Sequence, residues 1–288
     1  METILKGKGG ETVVIGPAQP FCIIGERINP TGRKKFAEEL RGGDLSTVVA
    51  DAEAQVAAGA DVLDVNAGIP LVDEAELLAS MLKLVQDTTD APICIDSSVI
   101  EALEAGLSVY EGKPLVNSVT GEDERLEEIL PLVAKHGAAV IGLANDETGI
   151  PETAQQRLEI ATKIVKAAGD FGIPPEDIVI DPLAMTVGAD TEAVTTTLEA
   201  IRLIRDNLGV NMSLGASNVS FGLPDRHALN AAFLPMAMAA GLTSAIMSTA
   251  KVCVDSVRGA DLLLGHDPWG ARWIAAHRAR KAEAVAAS

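Results

Sequence analysis

Seven short apolar runs in this chain stop on residues that carry a carboxylate, carboxamide or hydroxyl. Glu26, Arg27 and Asn29 follow the first run, and Asp64 and Asn66 end the second. Asp96 ends the third, in "PICIDSS", and Asn117 ends the fourth. Asn145 and Asp146 follow the fifth, Asp181 ends the sixth, and Ser217 and Asn218 end the seventh. Burying such groups is costly unless they are hydrogen-bonded. Capping of the next helix accounts for single cases such as Asp96 or Asp146, but not for the whole set. If the runs are parallel strands of one barrel, their C-terminal ends open on a single mouth, where barrel enzymes keep their active sites.

The lining restricts the chemistry. There is no Walker-type loop and no GxGxxG to cradle phosphate, and no Ser-His-Asp set. Of the four histidines, His136 lies late in a helical stretch, His266 and His277 lie near the C-terminus, and only His227 falls close to the seventh loop. A His/Cys zinc cluster is not expected, and no metal is assigned to the chain, although a pair of acids could hold a divalent cation. The other candidate is a neutral heterocycle rich in N–H groups. A pterin presents an amide-like N–H beside an exocyclic amine. One carboxylate accepts both as a fork, while an Asn donates and accepts at the remaining edge. The mixture of Asp and Asn suits such a ligand better than an anion.

The elements that must carry these residues alternate. Strands are expected at 21–24, 61–65, 92–95, 114–117, 138–143, 178–181, 212–216 and 243–247, and helices at 44–58, 73–88, 98–109, 122–136, 152–171, 190–208, 228–240 and 251–264. Eight βα units in 288 residues predict an α/β fold, a (β/α)8 TIM barrel; a doubly wound open sheet is the alternative. Residues 1–20 read as a β-hairpin around Gly-Lys-Gly-Gly that closes the barrel bottom. Residues 21–265 form the barrel and 266–288 a helical tail fraying at its end. Hydrophobic residues make up 48% and aromatics 3%, so the core is aliphatic. The net charge of −18, without a basic cluster, argues against a nucleic-acid partner. Cys22, Cys94 and Cys253 are far apart and read as core residues in a reducing compartment. With no signal segment and no spanning apolar run, a cytoplasmic protein without a membrane partner is expected.

Seven segments occur in order: "GERINPTGRKKF" (25–36), "LDVNAG" (63–68), "ICIDSS" (93–98), "LVNSVTGE" (115–122), "IGLANDETGIP" (141–151), "VIDPL" (179–183) and "LGASNVSFGLPDR" (214–226). Together they resemble the pterin-binding methyltetrahydrofolate:corrinoid methyltransferases, and the first also resembles the folate module of cobalamin-dependent methionine synthase. The likeness implies a (β/α)8 barrel and an enzyme that moves a methyl group between nitrogen 5 of methyltetrahydrofolate and the cobalt of a corrinoid, in either direction. It implies that Asp96, Asn117 and Asp181 hold the pterin, that Gly215 lets the backbone approach the ring, and that Asn218 lies near nitrogen 5 as the catalytic residue. Glu26, Asn29, Asp64, Asn66 and Ser217 are expected around the same mouth. Arg226 is expected at the ligand tail or a partner. Phe221 and Leu223 depart from the polar residues expected in that loop.

The likeness also implies partners. Corrinoid modules carry Asp-x-His-x-x-Gly, whereas the string from Asp225 through His227 ends on Asn230. The cobalamin is therefore expected on a separate corrinoid-binding protein, and the chain is expected to be a homodimer. Other readings are a non-catalytic folate-binding component, a dihydropteroate-synthase-like pterin enzyme, or a metal-dependent aldolase or lyase on the same barrel.

Overall fold

The computed structural model describes residues 1–286. The chain opens with an antiparallel hairpin, β1 (Thr3–Lys6) and β2 (Thr12–Ile15). Eight parallel strands follow: β3 (Cys22–Ile28), β4 (Val62–Asn66), β5 (Ile93–Asp96), β6 (Leu115–Thr120), β7 (Ala139–Leu143), β8 (Ile178–Asp181), β9 (Asn211–Met212) and β10 (Ser244–Met247). Between β3 and β4 lie α1 (Lys34–Arg41) and α2 (Ser46–Ala58). The later crossovers are α3 (Glu74–Thr88), α4 (Ile100–Val109), α5 (Asp123–His136), α6 (Ala154–Asp170), α7 (Ala193–Asn207) and α8 (Arg226–Ala240). After β10 come α9 (Lys251–Leu264) and α10 (Ala271–Ala286). The expected fraying of the tail concerns its last residues, and 287–288 lie outside the described residues.

The strand order β10-β3-β4-β5-β6-β7-β8-β9 makes a nearly closed (β/α)8 barrel, not an open sheet. The seam between β9 and β10 closes through a bridge from Gly215 to Ile246 and the Ile246 N–H bond to Leu214 O at 2.8 Å. Lower on the seam, the Thr243 hydroxyl accepts from Met212 N–H and the Ser244 hydroxyl donates to Met212 O. Strand seven is shorter than expected. The chain leaves the sheet after Met212 and turns into a short 3-10 helix, Ala216–Ser220, so Ser217 and Asn218 sit on a turn rather than at a strand end. The helix α1 was not anticipated from sequence, because it is only eight residues long and is rich in Lys and Glu.

Alternation along the strands explains the polar endings. The barrel interior is a small apolar cluster of Cys22, Ile24, Val62, Cys94, Leu115, Ala139, Ile141 and Val179, capped from below by Leu5 and Ile15 of the hairpin. Side chains two residues apart share a face. Two residues beyond Ile24, Val62, Cys94, Leu115 and Val179 are Glu26, Asp64, Asp96, Asn117 and Asp181. The same inward register is thus apolar at the bottom and polar at the mouth. The hairpin is tied in place by Asn211, whose amide donates to Thr3 Oγ1 and Ile15 O at 2.9 Å each. A larger aliphatic shell fills the space between strands and helices. All three cysteines are buried and free. Among the described residues, no helix is long and apolar enough to cross a membrane.

Candidate functional site

A cavity of about 610 Å³ opens at the C-terminal mouth. Glu26, Asn29, Asp64, Asp96, Asn117, Asp181, Gly215, Ser217, Asn218 and Arg226 all line it, and Arg27, Gln55 and His227 join them. Asn66 stands behind the wall: its Oδ1 accepts from Gly68 N–H at 2.8 Å, and its amide bonds to Asp96. Asp146 is not part of the cavity. It binds the N–H and hydroxyl of Thr148 in a local turn and lines a separate groove with Pro151, Glu159 and Lys163. Helix capping does not explain Asp146 either, because the cap of α6 is Thr153, seven residues on. Nor does it explain Asp96, because the N-cap position of α4 is Val99, without a side-chain cap, and its N–H donates to Ser97 Oγ.

Asp64 and Asp96 are close enough to bond each other, and that bond forms only while one of them holds a proton. Burial, and then the charge of Asp96, drive the Asp64 carboxyl well above the ordinary range. Asp96 is pushed up to about 6 by burial, against the bonds from Asn66 and Asp64. Asn117 Nδ2 donates to Asp64 Oδ1 at 3.3 Å. Across the mouth, Asp181 is 8% exposed, and burial pushes it up to about 6 as well. Its two oxygens accept from Leu183 N–H at 2.7 Å and Gly215 N–H at 3.4 Å.

The Asp181 loop is held from outside the barrel. Leu183 has a φ of 67°, a left-handed conformation that costs a non-glycine residue about 1 kcal/mol or more. Buried Arg157 on α6 fixes this turn by donating to Pro182 O at 2.9 Å and Leu183 O at 2.7 Å. Thr197 on α7 adds a bond to Leu183 O at 2.9 Å. On the opposite side, Gln55 of α2 is 2% exposed, and its Oε1 accepts from Arg27 N–H at 2.8 Å. That bond sits where the register of β3 shifts between Gly25 and Ile28. A Cβ on Gly25 would come within 2.5 Å of Gln55 Oε1, so glycine makes room for it. Sequence reading missed Arg157 and Gln55, since nothing distinguishes an inward polar residue in mid-helix from a solvated one.

The Asn218 turn forms the remaining wall. Asn218 is exposed, its side chain has no hydrogen-bond partner among the described residues, and its amide rests against the backbone of Gly215. A Cβ on Gly215 would stand 3.0 Å from Asn218 Nδ2. Ser217 Oγ donates to Glu26 Oε1 at 2.9 Å and accepts from Asn230 Nδ2 at 3.2 Å. Arg226 braces the turn, donating to Ser217 O at 2.7 Å and Ser220 Oγ at 3.2 Å, and its guanidinium lies 5.7 Å from the Phe221 ring centre. No group of three or more His, Cys, Asp or Glu among the described residues could hold a metal ion.

This arrangement can bind a flat ring presenting N–H groups on one edge and leave the opposite edge facing Asn218. The family model for pterin binding enzymes matches residues 25–248. Over 254 residues the chain is 33% identical to the methylcorrinoid:tetrahydrofolate methyltransferase of Eubacterium limosum, across 86% of this chain and 92% of that one. It is 37% identical over 246 residues to the methionine synthase of Mycobacterium tuberculosis, across 80% of this chain and 20% of that one, so it spans one fifth of that relative's length. Among solved structures, the 7,8-dihydropteroate synthase of Vibrio fischeri ES114 aligns with a TM-score of 0.69 over 93% of this chain and 100% of that one; at 17% identity the likeness is one of fold alone. With most of its barrel inside the family's limits, this chain is a member of the pterin-binding enzyme family.

Proposed function

We propose that this protein is a methyltransferase that moves a methyl group between nitrogen 5 of tetrahydrofolate and the cobalt of a corrinoid carried by a separate protein. The observation that carries the reading is a cavity edged by Asp96, Asn117 and Asp181 with Asn218 unengaged beside Gly215, in a chain resembling a methylcorrinoid:tetrahydrofolate methyltransferase over most of both lengths. Asp181 takes the paired N–H groups of the pyrimidine edge, while Asp96 and Asn117 bind the remaining polar edge. Asp64 and Asn66 keep Asp96 in place. Gly215 admits the ring, Asn29 and Ser217 shape the rim, and Arg226 stiffens the turn that carries Asn218.

Methyl transfer from nitrogen requires that nitrogen to accept the electron pair of the breaking bond. Asn218 helps by donating a hydrogen bond that strengthens as charge grows there, which lowers the barrier without tightening the ground state. The ring-holding residues supply orientation toward an in-line cobalt(I) nucleophile. The mouth is open to a docking protein that brings the corrinoid as co-substrate. The buried free thiols fit a reducing cytoplasm. The exposed Leu229, Met236 and Val252 on α8 and α9 offer a face for a homodimer, which light scattering at micromolar concentration checks. The activity is tested by mixing the protein with methyltetrahydrofolate and free cob(I)alamin and following methylcobalamin by absorbance, then running the reaction from methylcobalamin and tetrahydrofolate. Absence of transfer in both directions refutes the reading.

A further inference from the structure

We propose that Glu26 is the acid–base residue of the transfer, exchanging a proton directly with the pterin nitrogen that gains or loses the methyl group. This inference rests on the methyltransferase reading above. Glu26 reaches the cavity because β3 sends alternate residues inward, and its carboxyl ends on the Asn218 turn. Ser217 Oγ donates to Glu26 Oε1 at 2.9 Å, and Ser217 is the neighbour of Asn218 in the chain. Because Asn230 Nδ2 already donates to Ser217 Oγ, the single hydroxyl hydrogen of Ser217 is directed at Glu26.

The second oxygen of Glu26 is unused. Among the described residues it has no hydrogen-bond partner, and no cation stands within ion-pair distance of the carboxyl. The other acids of the cavity are engaged: Asp181 binds two backbone N–H groups, and Asp64 and Asp96 bind each other, Asn117 and Asn66. The charged and titratable groups around Glu26 come from three elements. Arg27 is on β3, Arg226 and His227 begin α8, and the Cys253 thiol of α9 lies behind it. Arg226 is committed to Ser217 and Ser220, and His227 Nε2 meets Ser248 Oγ at 3.2 Å. Burial raises the Glu26 carboxyl above its ordinary range, with Ser217 and these cations opposing the rise. It therefore holds a proton to higher pH than a solvated Glu.

The step balances. From methyltetrahydrofolate, the N–CH3 electron pair stays on nitrogen 5, the cobalt(I) pair forms the new cobalt–carbon bond, and the Glu26 proton passes to nitrogen 5. Cobalt becomes methylcobalt(III), the pterin becomes tetrahydrofolate, and solvent reprotonates the carboxylate. In the other direction nitrogen 5 attacks the methyl group, the cobalt–carbon pair returns to cobalt, and the nitrogen 5 proton goes to the Glu26 carboxylate.

The test uses Glu26→Gln and Glu26→Asp with free cob(I)alamin and methyltetrahydrofolate, single-turnover rates across pH, and calorimetric binding of tetrahydrofolate. Wild-type transfer should decline as pH rises through the Glu26 titration. Glu26→Gln should slow transfer by about 10²–10⁴-fold, lose that decline, and bind tetrahydrofolate within about threefold of wild type, since the contact matters mainly in the transition state. Glu26→Asp should keep the pH decline at a reduced rate, and it serves where the Gln variant does not fold. A Gln variant with the wild-type rate or the wild-type pH decline overturns the proposal, as does a Gln variant whose loss is wholly in tetrahydrofolate binding, or an Asp variant without the decline. If wild type itself transfers no methyl group, the methyltransferase reading falls instead.

Discussion

Replacing Asp181 by Asn should stabilise the empty protein at alkaline pH while weakening its hold on the pterin. Asp181 is 8% exposed and its carboxyl is pushed up to about 6 by burial, despite two N–H donors and the nearby Arg157 charge. An ordinary Asp titrates near 3.9, so roughly two pH units separate the folded from the unfolded state. At about 1.4 kcal/mol per unit, the ionised group costs the native state about 3 kcal/mol once pH exceeds both values. The folded value is the raised one. The stability is therefore complete below about pH 4 and is lost as pH rises through about 6. Asn carries no charge and keeps the acceptor for Leu183, but it gives up the longer 3.4 Å contact from Gly215, worth about 1 kcal/mol. The net expectation is a gain of about 2 kcal/mol near pH 8 and a loss of about 1 kcal/mol near pH 4. That corresponds to a melting temperature about 4–8 °C higher at the alkaline end. Melting of the ligand-free variant and wild type at both pH values measures the difference. Calorimetry should show tetrahydrofolate bound about 10–100-fold more weakly, because the new amide confronts N–H donors. A variant destabilised equally at both pH values would mean that the carboxylate is not strained in the native state.

Asn218→Ala should lower single-turnover methyl transfer by about 10²–10³-fold while leaving tetrahydrofolate affinity within a few-fold; equal losses in both would make it a binding residue only. Leu5→Ala removes a wholly buried side chain from the barrel floor and should cost about 2–5 kcal/mol in a denaturant titration, with little change in substrate affinity. Arg157→Met leaves Pro182 O without this donor, and Leu183 O with only its Thr197 bond. It should lower stability by about 1–3 kcal/mol and weaken tetrahydrofolate binding, although Arg157 is absent from the cavity wall. If Asp96 and Asp181 bind the ring as carboxylates, binding below about pH 6 must release protons, since both sit at about 6 in the empty site; calorimetric enthalpies that do not vary with buffer ionisation heat would contradict this.

The strand ends were legible because two rules met at them. A β-strand alternates faces, and barrel strands share one mouth, so a polar residue two positions past an apolar interior residue has only one place to go. Asp64, Asp96, Asn117 and Asp181 follow that logic directly. Asp146 does not, because its own side chain closes a turn with Thr148 and draws it out of the mouth. Asn218 was legible as a residue of the mouth but not as part of a 3-10 turn, since two residues of sheet are too few to leave a periodic signal. Gln55 and Arg157 were invisible for the opposite reason. Helical positions are polar on most of their surface, and only the tertiary path of Arg27 and Leu183 shows which polar residue turns inward.

A chain of formal charge −18 that gathers four carboxyl groups at one mouth has a stability problem as well as a candidate binding site. Burial favours the protonated forms of these acids. Asp64 and Asp96 bond each other, Asp181 and Glu26 are raised by burial, and no Lys reaches the cavity wall among the described residues. Pairing each acid with an Arg would fill the acceptors that the pterin of the proposed function needs. Arg27, Arg33 and Arg226 line the cavity too, yet among the described residues none stands within ion-pair distance of these four carboxyl groups. Arg157 holds the turn that carries the Asp181 donors, and Arg226 holds the turn that carries Ser217 and Asn218. Acceptors remain free toward the cavity while the backbone around them is fixed, which is what the proposed methyl transfer requires for ring orientation and for a proton on nitrogen 5.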